Sequence, residues 1–164
     1  MPVHFAQLWK NYPGPDDFDH NELFDYIGWG DLKKNPTYEN TCAIRMSICL
    51  IKSGVKFPGR MKINAGPLKG HMIEPGQVRL TKILTSPTIL GSPVVLNKET
   101  YDAGLKGKNG VIAFMRIPTY VIDGALSGHI DLIQHGKFLW LFDTLKCRDE
   151  CYWSSQEYWF WPLD

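Results

Sequence analysis

The chain has 164 residues, 44% hydrophobic and 21% charged, with a formal charge of +1. Such a length and composition predict one folded domain over residues 1–164, burying roughly two-thirds of the surface that the unfolded chain exposes. The small net charge gives no electrostatic case for nucleic acid or an anionic membrane, and no apolar run approaches the ~20 residues that span a bilayer.

The first residues, "MPVHFAQLWKNYPGPDD", lack a cationic start followed by an apolar run and do not read as a secretory signal. Phe5 to about Trp9 reads as a short helix closed by a turn-rich break, and Asn21 to about Ile27 as a second one ended by glycine. Next comes "YENTCAIRMSICLIKSG", Tyr38–Gly54. Asn40 or Thr41 is a competent N-cap there, and Gly54 closes the helix where C-caps favour glycine. Ile44, Ile48 and Ile51 share one face, with Cys49 and Leu50 beside them, which predicts a largely buried helix.

From Val55 to Leu90 the pattern is weak and rich in Gly and Pro, with "VRLTKILTSP" as one short helix. After it the period changes. Gly110–Ile117, Gly128–Gln134, Lys137–Asp143 and Tyr158–Leu163 are β-branched and aromatic runs, and "QHGK" between the second and third reads as a hairpin turn. Helices first and an antiparallel meander second make an α+β fold, with the buried helix packed on the sheet.

A thiol at the start of a helix faces unpaired N–H groups and the positive end of the dipole, which favour thiolate. The same groups can hold an oxyanion. Cys42 occupies that place; Cys49, deeper in the helix, reads as core. A cysteine nucleophile needs a base. His4, His20, His71 and His135 fall in irregular regions or at a turn, whereas His129 opens the strand "GHIDLIQ" behind small residues. By alternation His129, Asp131 and Ile133 share one face of that strand. The group orienting the imidazole is left open among Asp131, Asp143 and Asp149. Asp131 is nearest, but its side chain should run parallel to that of His129, and a neighbouring strand or loop usually supplies the better partner.

Other chemistries find little support. Cys147 and Cys151, in "CRDEC", lie close enough for one local bridge, but no second ligand pair has zinc spacing. "KGKNG" (Lys106–Gly110) precedes a strand and lacks the Walker spacing, so it is no phosphate loop. No cofactor is implied. The tail "YWSSQEYWFWPLD" reads as a last strand with aromatics on both faces, the alternative being a sugar-stacking platform. A local disulfide behind a non-secretory start suits a protein made in the cytosol that acts in an oxidising space.

"YENTCAIRMSICL" resembles the cysteine motif of the Tae4 family of type VI secretion amidase effectors, an aromatic-x-Asn-x-Cys-x-Ile-Arg-Met-Ser pattern. "GLKGKNGVIAF", "SGHIDLI" and "CRDEC" are similar to the family's turn-and-strand, histidine and Cys-x-Asp-x-Cys segments, in the same order, from about Tyr38 onward. The resemblance implies a papain-like, NlpC/P60-type fold and a DL-endopeptidase that cuts peptidoglycan stem peptides between D-glutamate and meso-diaminopimelate. It makes Cys42 the nucleophile, His129 the base, and Asp149 the orienting acid in a loop closed by a Cys147–Cys151 disulfide. It further implies delivery by the type VI machinery into a rival's periplasm, no membrane insertion, and a cognate immunity protein that blocks the site. One departure is a longer segment between His129 and Cys147, which could bring Asp143 or Asp131 to the imidazole instead. The other readings are a papain-like acyltransferase or deamidase, or a wall-binding module without catalysis.

Overall fold

A computed structural model describes residues 3–122, 124–136 and 149–164. Helices α1 (Phe5–Asn11), α2 (His20–Ile27) and α3 (Cys42–Lys52) come first. A ribbon of β1 (Met61–Lys62) and β2 (Met72–Ile73) follows, then α4 (Gln77–Leu84), β3 (Val94–Leu96) and α5 (Tyr101–Leu105). Strand β4 (Gly110–Met115), the ribbon β5 (Val121–Ile122) with β6 (Ala125–Leu126), β7 (His129–Ile133), α6 (Asp149–Trp153) and β8 (Glu157–Pro162) come after them. The fold is α+β with antiparallel sheets. The expected strand Lys137–Asp143 lies outside the described residues.

Helix α3 is the pivot. Every residue from Cys42 to Leu50 is buried, so it belongs to two cores rather than to one amphipathic stripe. Ile44 and Ile48 meet Leu23, Phe24 and Ile27 of α2 together with Ile63 and Ile73. Ala43, Met46, Cys49 and Leu50 turn toward Leu8, Leu80, and Ile130 and Leu132 of β7. Ser53 ends the helix, and Gly54 follows in the left-handed region at φ 79°, the place the sequence pattern reserves for it.

The main sheet has the order β3-β8-β4-β7, all neighbours antiparallel. It is not the expected meander, because the last strand slides between β3 and β4. The composition of β8 explains this. Tyr158 and Phe160 join Ile112, Phe114 and Leu105 on one side, while Trp161 joins Val111, Ala113 and Leu132 on the other. A strand with large aromatics on both faces needs cover on both, and the middle of a sheet supplies it. Trp161 is 2% exposed and its indole N–H donates to the Gly91 carbonyl at 2.8 Å. These rings are core, so the tail offers no sugar platform through them.

Among the described residues β7 lies at the edge of this sheet, in register with β4 so that Phe114 faces His129 and Ile112 faces Asp131. Helix α3 packs on its other face, through Ile130 and Leu132. Beyond β7, His135 and Gly136 adopt left-handed φ values of 52° and 75°, and the Gly136 N–H donates to Lys108 O at 2.8 Å. His135 and Gly136, the described part of the predicted turn at "QHGK", therefore lie against the 106–110 turn.

Candidate active site

Cys42 is the first residue of α3. Thr41, at the N-cap, makes no side-chain cap; its hydroxyl accepts from Arg45 Nε at 3.1 Å instead. Capping comes from Asn40, whose Oδ1 accepts the Cys42 N–H at 3.1 Å. The Asn40 Nδ2 group donates to Ser127 Oγ at 2.9 Å and to Gly128 O at 2.8 Å. One amide thus fastens the start of α3 to the chain entering β7. The sequence names Asn40 only as a cap; its hold on residues 127 and 128 depends on two segments distant in the chain.

On β7, His129 Nε2 lies 2.9 Å from Asp131 Oδ2, with the two residues 1% and 0% exposed. The other Asp131 oxygen accepts the Leu132 N–H at 2.7 Å. The expectation that parallel side chains would keep this pair apart does not hold. Residues i and i+2 of a strand are about 6.6 Å apart, a gap an imidazole leaning along the strand and a carboxylate turned back toward it can bridge. Asp131 is thus the carboxylate at Nε2 among the described residues, whereas the resemblance makes Asp149 the orienting acid. Asp149 opens α6, and its side chain, like Asp143 and Cys147, lies outside the described residues.

What α6 does bring is Tyr152. Its ring stacks on His129 at a centroid distance of 4.1 Å and an interplanar angle of 6°, with Phe114 at 6.0 Å from the same imidazole. A face-to-face tyrosine also favours the imidazolium form. Gln77 of α4 supports the backbone, its Nε2 donating to His129 O at 3.3 Å and to Thr81 Oγ1 at 3.0 Å. Neither Tyr152 nor Gln77 carries a sequence signal, since both act across tertiary contacts.

Gly128 explains the small residue before the histidine. A Cβ there would sit 2.1 Å from Gln77 Oε1 and 2.5 Å from Phe114 O. Gly128→Ala is expected to destabilise the fold by about 1–3 kcal/mol through overpacking and to push His129 off its partners. Thermal unfolding together with residual turnover measures both.

Burial alone would lower the pKa of His129, but hydrogen bonds to Asp131 and Cys42, and the charges of both, raise it from 6.5 to about 9. Nε2 is used by Asp131, which leaves Nδ1 for the thiol. Burial pushes Asp131 up, opposed by His129 and the Leu132 N–H. With the pKa of folded His129 above its ordinary value, the stabilisation it brings is full below pH 6.5 and lost as pH rises through about 9. Activity that needs the imidazolium should follow the same limb. A kcat/KM profile flat from pH 7 to 8 and falling near 9 is expected; a fall centred near 6.5 would contradict it.

The two helix cysteines separate. Cys42 and Cys49 are both free and buried, but the Cys49 Sγ–H donates to Leu8 O at 3.1 Å and burial pushes its thiol up, so it stays protonated. The remaining histidines lie elsewhere: His20 Nε2, for example, is 2.8 Å from Lys33 O. Among the described residues no three His, Cys, Asp or Glu side chains converge as a metal would need.

The family model for Tae4, "Type VI secretion system (T6SS), amidase effector protein 4", matches residues 38–161. The chain belongs to this family. The match begins at Tyr38, where the resemblance in the sequence also begins, and runs through β8. Tae4 from Enterobacter cloacae has a similar structure, with a TM-score of 0.70 at 19% identity over 100% of this chain and 98% of that one. The effector of a Tae4/Tai4 effector–immunity system from Salmonella typhimurium gives a TM-score of 0.67 at 18% identity, with both chains covered in full. A likeness at these identities is one of fold. No curated protein sequence matches.

Proposed function

We propose that this Tae4-family amidase effector is a cysteine hydrolase of peptidoglycan, cutting the D-glutamate–meso-diaminopimelate bond of the stem peptide. The observation that carries the reading is one buried line, Cys42 to His129 to Asp131, in which the histidine is held by both a thiol and a carboxylate. That is the arrangement of a papain-like nucleophile, base and orienting acid. Family membership supports the amidase chemistry.

The Cys42 thiolate attacks the amide carbonyl, and the oxyanion is held by first-turn N–H groups of α3 other than that of Cys42, which Asn40 occupies. His129 gives its proton to the leaving diaminopimelate amine as the C–N bond breaks. It then takes a proton from water, whose hydroxide opens the thioester to free Cys42 and a D-glutamate carboxylate. Asp131 holds the ring and its charge throughout. At 2%, 1% and 0% exposure the three residues sit in low dielectric, where each charge interaction counts for more.

The same reading takes residues 1–164 as one catalytic domain, an antibacterial toxin delivered by type VI secretion into the target's periplasm. It includes a disulfide from Cys147 to Cys151, consistent with free thiols at Cys42 and Cys49 and a bonded sulfur at Cys151. It also includes a cognate immunity protein, supported by the effector–immunity complexes of similar fold. The bond is tested on a soluble tetrapeptide, L-Ala-D-Glu-diaminopimelate-D-Ala. Mass analysis should show only L-Ala-D-Glu and diaminopimelate-D-Ala; cleavage elsewhere, or none, rejects the assignment.

A further inference from the structure

The net charge of +1 conceals an uneven distribution. Between Asn40 and Lys98, Glu74 is the one carboxylate. It is buried, its side chain 1% exposed, and held by Arg60 at 2.9 Å and Arg79 at 3.3 Å. The cations Lys52, Lys56, Lys62 and Lys69 of this stretch are all exposed. Lys56 lines a groove, and Lys52 and Lys69 adjoin two of its lining residues, Ile51 and Gly70, in the chain. Pairing of β1 with β2 sets Lys62 opposite Met72, and Met72 joins Ile51, Phe57, Lys56 and His71 around this groove of about 420 Å³.

This groove is remote from the chemistry. Ile51 lies nine residues along α3 from Cys42, a distance of about 14 Å at 1.5 Å per residue.

We propose that the cationic groove is a second peptidoglycan-binding surface, which holds the carboxylates of stem peptides other than the one being cut. The inference rests on the function proposed above, because it takes its ligand from that substrate. Peptidoglycan is a polymer, and each uncut stem peptide carries free carboxylates on D-glutamate and diaminopimelate with alanine methyls on either side of the pair. A groove lined by Ile51, Val55, Phe57 and Met72 with Lys56 among them, flanked in the chain by exposed Lys52 and Lys69 and drawn from a segment that contributes no exposed carboxylate, complements that chemistry. Lysines suit the task, since a flexible point charge accepts carboxylates at varying positions where an arginine fork would demand one geometry. Such charges act over about 10 Å at moderate salt and serve retention and encounter more than catalysis.

The test is sedimentation of the Cys42→Ala protein with intact Gram-negative sacculi across a NaCl series. Adding Lys56→Glu and Lys69→Glu should weaken pelleting about tenfold at low salt and flatten its salt dependence. Lys56→Gln with Lys69→Gln should give a smaller loss. In the otherwise wild-type protein the same charge reversals should leave kcat/KM on the soluble tetrapeptide unchanged. Pelleting that ignores the reversals overturns the proposal, as does an equal loss on the soluble peptide, which would place the groove in the active site. Unchanged pelleting with lost binding of the purified immunity protein overturns it too, assigning the surface to that partner. If wild type fails to cut the tetrapeptide, the function reading falls, and the sacculus arm still decides the groove.

Discussion

Asp131→Ala is expected to lower turnover on stem peptide about 10³–10⁴-fold, the scale seen when a triad carboxylate is removed, while Asp149→Ala keeps most of it. The reason is the 2.9 Å contact between Asp131 Oδ2 and His129 Nε2 inside a dry site. Without that carboxylate the imidazole loses its orientation and the main support of its proton. Burial, which lowers the pKa of His129, would then dominate. The alkaline limb of the rate profile should therefore move down from about 9 toward neutrality or below. That displacement separates a catalytic partner from a structural one. Removing one member of a buried charged pair also costs about 3–5 kcal/mol, so turnover is compared per folded molecule, with Asp131→Asn as the milder variant. Full turnover in Asp131→Ala with loss in Asp149→Ala would return the role to Asp149.

Asn40→Ala should cost about 100-fold in kcat, the effect of misplacing reacting groups by roughly 1 Å, with KM little changed. Its amide makes three contacts at once: the Cys42 N–H, Ser127 Oγ and Gly128 O. Loss of a cap alone accounts for only about 1 kcal/mol of stability, so a fall in kcat well beyond the fall in folded fraction identifies the tie between helix and strand. Asn40→Asp keeps the acceptor for Cys42 N–H and removes the donors to Ser127 and Gly128 before β7. If that variant keeps full kcat, the cap matters and the tie does not.

The candidate nucleophile and base are legible because each is marked locally. Cys42 stands where a capping residue meets a helical run, and His129 where small residues meet an alternating strand. Asp131 was visible on the right face yet undervalued, since alternation tells which side a residue faces and not how far its side chain leans along the strand. Tyr152 and Gln77 were not legible, because they reach His129 from α6 and α4 across the fold. Sheet order was misread for a related reason. Both-face aromatics in β8 announced a strand but not its central place, and β3 is three residues long, too short to show a period.

The claim that Cys42 is the nucleophile of a wall-cutting enzyme is tested most directly on purified Gram-negative sacculi. Wild type and Cys42→Ala are incubated in parallel and the released fragments are weighed by mass spectrometry. Wild type should release fragments with a free diaminopimelate amine and a D-glutamate carboxylate, and Cys42→Ala should release none. The same products from both proteins, or no products from wild type, would contradict the account.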